Sequence, residues 1–291
     1  MKLVVTGGSG FLGGYVLRQA AARGHHVVAL ARSQAAADTV TALGARPISG
    51  DLNDARSLVD ALTSAGSDAL INLASLGFGH ASVIIGAAER AGIKRAVFVS
   101  TTAVTTTLPA GSKQVRLAAE ESIRGSMLDW TILRPTMIYG DPGDRNLSRL
   151  LPLLRRVPVL PVPGGRHLQQ PVHAADVAQA VLAAAERPHA ALHTYDVAGP
   201  EPLTFTELLQ TAAGAVASRT RFIPVPVSPV IAVARGYELL SRNPRIRVEQ
   251  VRRLAEDKAF AIDDAMRDLG YDPRPFAEGI GAEARAMGLA A

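Results

Sequence analysis

Apolar, β-branched stretches recur through the first half of the chain, at residues 3–6, 26–31, 69–73, 96–100 and 130–133, with a shorter one at 45–48. Between them lie segments rich in alanine and leucine with helical patterning: 11–23, 34–43, 54–64, 80–91 and 112–124. Strand alternating with helix at this interval predicts a parallel sheet covered by helices on both faces. Ala96-Val97-Phe98-Val99 is apolar at every position, as a strand buried on both sides should be. After Arg134-Pro135 the texture changes, and prolines at 142, 152, 158, 161, 163 and 171 mark irregular structure. Helical patterning returns at 174–186, 204–216, 229–241 and 262–269, with a short strand at 193–197. The expected fold is α/β, a doubly wound parallel sheet over residues 1–135 and a smaller C-terminal region over 136–291. The 174–197 segment is expected to pack back on the sheet. There is no internal repeat or low-complexity tract.

The first strand runs directly into Thr6-Gly7-Gly8-Ser9-Gly10-Phe11-Leu12-Gly13 and then a helix. Strand, glycine turn and helix in that order suit a dinucleotide pyrophosphate. Gly7 or Gly8 makes the tight turn, Gly10 lets the backbone approach the phosphates, and Gly13 lets helix and strand pack closely. Phe11, Leu12 and Gly13 open the helix, whose unpaired N–H groups and positive dipole end attract the anion. A bare Gly-x-Gly-x-x-Gly arises often by chance; here Gly8, Gly10 and Gly13 sit in the strand-to-helix setting that gives the motif meaning. A Rossmann-type cofactor domain followed by a substrate-binding region is the expectation.

Composition narrows this further. The 291 residues are 48% apolar and 20% charged, as in an ordinary globular protein with a large core. The absence of cysteine excludes disulfides, thiolate metal sites and cysteine nucleophiles, and suits a cytoplasmic location. The strand pattern begins at Lys2, so no signal peptide is expected ahead of the fold. No stretch has the ~18 uninterrupted apolar residues of a membrane span, so no integral membrane association is expected. Residues 222–240 come nearest, but Pro224, Pro226, Pro229 and Arg235 interrupt them, and a packed cap over a substrate cleft is the preferred reading over a peripheral membrane contact. The net charge of +5 is carried almost wholly by arginine, since the lysines are Lys2, Lys94, Lys113 and Lys258. Arg242, Arg245, Arg247, Arg252 and Arg253 form the densest basic stretch. Without interleaved aromatic residues it reads as a solvated helix face, and no nucleic-acid partner is expected. The histidines lack a ligand-type partner at fixed spacing, so no metal is expected.

The second strand ends in Ala31-Arg32-Ser33, with no carboxylate to bond a ribose 2′-hydroxyl. Arg32 can clamp a 2′-phosphate and Ser33 can donate to it, which favours NADP(H) over NAD(H). Asp51-Leu52, just past the third strand, can bracket an adenine, although Asp51 serves equally as an N-cap for the 54–64 helix.

Further pieces span most of the chain: Gly50-Asp51-Leu52, Asn72-Leu73-Ala74, Phe98-Val99-Ser100-Thr101-Thr102, Ile132-Leu133-Arg134-Pro135-Thr136-x-Ile138-Tyr139-Gly140, Gln170-Pro171-Val172-His173-x-x-Asp176-Val177-Ala178 and Leu269-Gly270-Tyr271-x-Pro273. With the glycine turn they resemble the short-chain dehydrogenase/reductase superfamily in its extended or atypical branches, and look nucleotide-sugar-epimerase-like. The resemblance implies that Ala74, Ser100 and Pro135 line the nicotinamide side of the cofactor. It also implies that Thr102 stands where a catalytic serine or threonine hydroxyl is expected.

The chain departs from the family at its proton donor. Active members carry Tyr-x-x-x-Lys at the start of the helix after the fifth strand, and this chain has no tyrosine between Tyr15 and Tyr139. Aligning on the helix, with Glu120 four residues beyond the basic position, sets Ser112-x-x-x-Arg116 there; aligning on lysine sets Pro109-x-x-x-Lys113. The first register is preferred, because Pro109 suits the loop before a helix. A serine hydroxyl is a poor proton shuttle and arginine keeps its proton near neutrality. Lys113 is the best titratable group of the region: desolvated beside Arg116 it would become a usable acid, with Lys113→Ala expected to abolish turnover, whereas a solvated Lys113 would be inert. Tyr139 is weighed as a surrogate acid and reads better as structural. His173 is expected to order the loop before the 174–186 helix. Asp141, Asp144 and Arg145 can read a polar or phosphorylated ligand, or shape a turn. Thr102, Ser112, Lys113 and Arg116 are thus the candidate catalytic residues. The expected function is hydride transfer at a carbonyl or carbinol carbon of a small molecule; the alternative is a non-catalytic NADP(H)-binding sensor or assembly subunit. The sequence is silent on oligomeric state.

Overall fold

A computed structural model describes residues 1–108, 111–144, 146–241 and 248–290. The first half alternates regularly: β1 (Lys2–Thr6), α1 (Phe11–Ala22), β2 (His26–Ala31), α2 (Gln34–Ala42), β3 (Arg46–Ser49), α3 (Ala55–Ala65), β4 (Ala69–Asn72), α4 (Ala81–Arg90), β5 (Arg95–Val99), α5 (Gly111–Arg124) and β6 (Asp129–Pro135). There follow β7 (Ile138–Tyr139), α6 (Leu147–Leu154), β8 (Val159–Pro163), β9 (Leu168–Gln169), β10 (Val172–His173), α7 (Ala174–Glu186), β11 (His193–Val197), β12 (Leu203–Thr204), α8 (Phe205–Ala215), β13 (Arg221–Val225), α9 (Val227–Leu240), α10 (Val248–Leu254), α11 (Asp263–Leu269) and α12 (Phe276–Ala286).

Seven strands form one sheet in the order β11-β6-β5-β4-β1-β2-β3, every pair parallel. The order reverses between β1 and β4, and in such sheets ligands bind beyond the carboxyl ends at that crevice. Successive residues of a strand face opposite sides. Leu3 and Val5 accordingly join the core under α1, α7 and α11. Val4 joins the core under α3, α4 and α5. Helix α7 is mostly alanine along its buried face, which lets it lie close to α1, and Gln19 Nε2 donates to Ala175 O across the pair at 2.7 Å. A third core gathers α6, α8 and α12 around Tyr139.

Local chemistry sets the helix ends. Asp54, rather than Asp51, caps α3, accepting from Arg56 N and Ser57 N, and Gly66 ends the helix in the left-handed region. Thr204 and Glu207 form a reciprocal capping box on α8. Three helices lie outside the periodic reading: α6, α10 and α12. Helix α6 contains Pro152, a residue that disfavours helix interiors, yet it forms because Leu147, Leu151 and Leu154 are buried on one face.

One buried charge joins sheet and helix. Glu120, on the inner face of α5, is fully buried and accepts from Ser100 Oγ at 2.7 Å, Arg134 Nε and Nη2 at 3.0 and 2.6 Å, and Arg124 Nη2 at 2.8 Å. Burial alone would raise its pKa, but the bonds from Arg134, Ser100 and Arg124 outweigh it and hold the carboxyl below its usual range. A depressed carboxyl contributes stability above its unfolded pKa and loses it as pH falls through the folded value. Glu120→Ala should lower the unfolding free energy by about 3–5 kcal/mol at neutral pH, measured by urea titration. The difference from wild type should shrink toward acidic pH.

Candidate functional site

The crevice begins at the turn after β1. Gly7 has φ of 73°, and a Cβ there would lie 2.8 Å from Ala74 N, so this position accepts only glycine without strain. Gly7, rather than Gly8, therefore makes the tight turn. A Cβ on Gly13 would overlap the carbonyl oxygens of Gly7 and Gly8, so α1 packs directly on that turn. Gly10 is the N-cap of α1, and no side chain caps the helix. Its first N–H groups are left for an anion. This cradle fits a dinucleotide pyrophosphate.

Three adjoining cavities lie along the carboxyl ends of the strands. The first, about 400 Å³, is lined by Gly7, Arg32, Ser33, Asp51, Leu52 and Ala74 among others. Arg32 is exposed there, while Ser33 Oγ accepts from Ala36 N and caps α2. Asn53 N, bonded at 2.9 Å, holds the Asp51 carboxyl below its usual range, and the positive charge of Arg32 adds to the effect. The second cavity, about 430 Å³, shares Ser75 with the first and is lined by Leu12, Ser100, Ser112, Lys113, Arg116 and Arg253. The third, about 490 Å³, shares Thr101, Ala103 and Arg253 with the second; Thr102, Thr136, Gln169, Glu256 and Lys258 form part of its wall.

Ser112 and Arg116 lie on one face of α5, with Arg116 Nη1 donating to Ser112 Oγ at 2.6 Å. Burial, and then the positive charge of Arg253, which lines the same cavity, lower the Arg116 pKa. Lys113 Nζ donates to Thr106 O at 2.5 Å. Thr102 is buried, and its hydroxyl lies 3.4 Å from the carbonyl of Pro135, which ends β6. Ser100 turns its hydroxyl to Glu120. Phe11 packs edge-on against Tyr15, with centroids 5.7 Å apart.

Several candidates play structural parts. Tyr139 is fully buried with its hydroxyl 3.5 Å from Phe276 O, and burial pushes its phenol upward, so it is no surrogate acid. Asp141 accepts from Gly143 N and Asp144 from Asn146 N, both at 2.6 Å, so both shape the loop. His173 caps α7 through Nδ1, 3.1 Å from Ala175 N. Asp176 holds Arg274 at 2.8 Å, and Tyr271 donates to Ala198 O at 2.7 Å. Pro109, Arg145, Arg242, Arg245 and Arg247 lie outside the described residues. Of the basic stretch Arg252 is exposed, but Arg253 lines two cavities instead of a plain solvated face.

The cover over the third cavity comes from residues 253–260 rather than from 222–240. Glu256 accepts from Thr106 Oγ1 at 2.6 Å and Thr107 N at 2.7 Å, and Asp257 accepts from Leu168 N at 2.8 Å. Lys258 Nζ donates to Gln169 Oε1 at 3.2 Å and Arg253 O at 2.8 Å. Sequence reasoning passed over Glu256 and Lys258; the only signal was the rarity of lysine in an arginine-rich chain. Among the described residues no three histidine or carboxylate side chains converge as a metal site, and no helix is long and apolar enough to cross a membrane.

Residues 7–188 match the NAD(P)H-binding family. The chain belongs to that family. It is an extended, atypical short-chain dehydrogenase/reductase-like protein. A 4-hydroxy-2-methyl-3-oxo-4-farnesyl-3,4-dihydroquinoline-1-oxide ketoreductase of Stigmatella aurantiaca is 32% identical over 94% of this chain and 92% of its own. The photosystem II assembly factor Ycf39 of Synechocystis is 26% identical over 94% of this chain and 87% of its own. The UDP-glucose 4-epimerase of Thermotoga maritima has the same fold, with a TM-score of 0.76 at 16% identity over 99% of this chain and 98% of its own. In this NAD(P)H-binding protein the glycine turn and the first two cavities form one groove along the crevice. Gly7→Ala, which strains the turn against Ala74, should weaken NAD(P)H binding about tenfold or more, read by nucleotide fluorescence titration.

Proposed function

We propose that the chain is an NADPH-dependent reductase of a small-molecule carbonyl, with residues 1–135 holding the cofactor and 136–291 shaping the substrate cavity. The observation that carries this reading is the third cavity, about 490 Å³, which adjoins the second through Thr101, Ala103 and Arg253, so that a nicotinamide in the second would face it. A protein that only bound the nucleotide would have no use for a substrate-sized space beside the cofactor groove. The similarity to the ketoreductase supports the same class of reaction.

Gly7, Gly10, Leu12 and Gly13 would hold the pyrophosphate; Asp51 and Leu52 would flank the adenine, with Ala74, Ser100 and Pro135 along the nicotinamide side. Arg32 and Ser33 would take a 2′-phosphate, which favours NADPH, since β2 ends without a carboxylate. Bound reduced nicotinamide supplies a hydride. The chain would position the carbonyl: Thr102 lines the third cavity, Ser112 and Arg116 take the tyrosine and lysine positions of the family's motif in the preferred register, with Arg116 toward the ribose, and Lys113 braces the loop at Thr106.

Arg32→Ala should weaken NADPH binding roughly 10–100-fold through loss of a charge-assisted contact while leaving NADH within about twofold. Competitive titration of the two nucleotides reads this, and tighter binding of NADH by the wild type would overturn the assignment. A second reading, a non-catalytic NADPH-binding sensor or assembly subunit, is favoured by the missing tyrosine and by the similarity to Ycf39. NADPH consumption over a panel of 3-oxoesters, cyclic ketones and quinones separates the two. An enzyme turns over at least one of them, and a sensor turns over none.

A further inference from the structure

The fold leaves one question open in the reductase reading: which group protonates the substrate oxygen. Ser112 is a poor acid and its hydroxyl is engaged with Arg116. Tyr139 is sealed in the third core. Lys113 lines the second cavity rather than the third, and its Nζ is turned to Thr106 O; Lys258 differs from these. It is half-buried in the wall of the third cavity, the same cavity lined by Thr102. Its backbone is pinned by Lys258 N donating to Leu168 O at 2.8 Å, so the side chain is not on a loose loop. Two N–H groups of the ammonium go to Gln169 Oε1 and Arg253 O, at 3.2 and 2.8 Å, and an ammonium has three. Its nearest carboxylate does not hold the third: Glu256 is committed to Thr106 and Thr107.

We propose that Lys258 is the acid of the reaction, donating its third N–H to the substrate oxygen in place of the missing phenol; this rests on the reductase reading above. As the carbonyl carbon gains hydride from NADPH, the C=O π pair moves to oxygen. The Nζ–H bond breaks, the oxygen takes the proton to complete the alcohol, and the neutral amine regains a proton from solvent. Burial lowers the Lys258 pKa from its ordinary value, Glu256 draws it back up, and Arg253 presses it further down. Asp257, the adjacent carboxylate, is turned to Leu168 N and His167, and Gln169 on β9 is uncharged. The sign follows: reduction needs the ammonium, so turnover is level at low pH and falls as pH rises through the Lys258 pKa, while alcohol oxidation rises.

The chain has four lysines, so reductive ¹³C-methylation yields four dimethyl-lysine signals, with K258R assigning the one of interest. In the nucleotide-free protein the Lys258 signal should titrate below the ordinary lysine range; titration at the ordinary lysine value would overturn the proposal. With the best acceptor of the carbonyl panel, K258Q should lower kcat about 100-fold or more while NADPH affinity stays within about twofold. Ethylamine should restore part of the turnover of K258A. If Lys258 merely caps α10 through Arg253 O, thermal stability falls in both variants and ethylamine restores nothing, which overturns the assignment. Full turnover in K258Q overturns the assignment alone. A wild type inert to the whole panel overturns the reductase reading, and this proposal with it.

Discussion

A carboxylate sealed from water, Glu120, is the constraint on which the site depends. Leaving it uncompensated would cost several kcal/mol, so its neighbours are fixed by necessity. Ser100 at the end of β5, Arg134 near the end of β6 and Arg124 on α5 itself all bond it. That fixes the height and rotation of α5 against the carboxyl ends of two strands. Arg116 lies one helical turn before Glu120, Ser112 two turns before it, and Lys113 next to Ser112. Their presence around one cavity therefore follows from where Glu120 must sit.

Polar contacts seat the second half, and one of them, from Glu256, reaches the first. Glu256 takes Thr107 N, Asp257 takes Leu168 N, Gln170 takes Phe260 N and gives to Gly199 O, and Arg274 closes on Asp176. The Gln170 bond to Gly199 O satisfies a buried group that would otherwise lose its hydrogen bond. One continuous chain of such bonds runs from Lys113 to Thr106 O, from the Thr106 hydroxyl to Glu256, and so to the cover. The two cavities that meet at Arg253 are thus walled by elements far apart in sequence and mechanically linked.

What the sequence made legible was local. The period of the strands, the glycine that a positive φ demands at position 7, and the glycine that close packing demands at 13 are all short-range requirements. The resemblance then led to Ala74, Ser100 and Thr102, each of which lines one of the three cavities, and to Pro135, which lines none of them and lies buried behind Thr102. The rest failed for physical reasons. Asp51 and Asp54 are chemically equivalent caps, and which one serves depends on where the first turn of α3 begins. A tyrosine at 139 looks the same whether it faces a cleft or a core; burial against α12 decides. Helix α6 overrides its proline through leucine packing that no local rule contains. The 253–260 cover is seated by partners about 90–150 residues away, at Leu168, Gln170, Thr106 and Thr107, and no spacing within 253–260 encodes them.

The same separation explains how the chain can dispense with its family's motif. Tyr-x-x-x-Lys places proton supply and ribose binding one turn apart on a single helix, so both depend on one element. Here α5 retains a cation and a hydroxyl at the corresponding spacing, suited to hold the cofactor side. Lys113 on α5 turns its ammonium to Thr106 O, and the ammonium proposed as the acid, Lys258, lies on the cover, across the cavity that would hold a substrate. Dividing the tasks frees each group from the other's environment. Arg116 keeps its charge beside the cofactor groove whatever the pH near neutrality, and Lys258 is held by Gln169 Oε1 and Arg253 O, both outside the cofactor half.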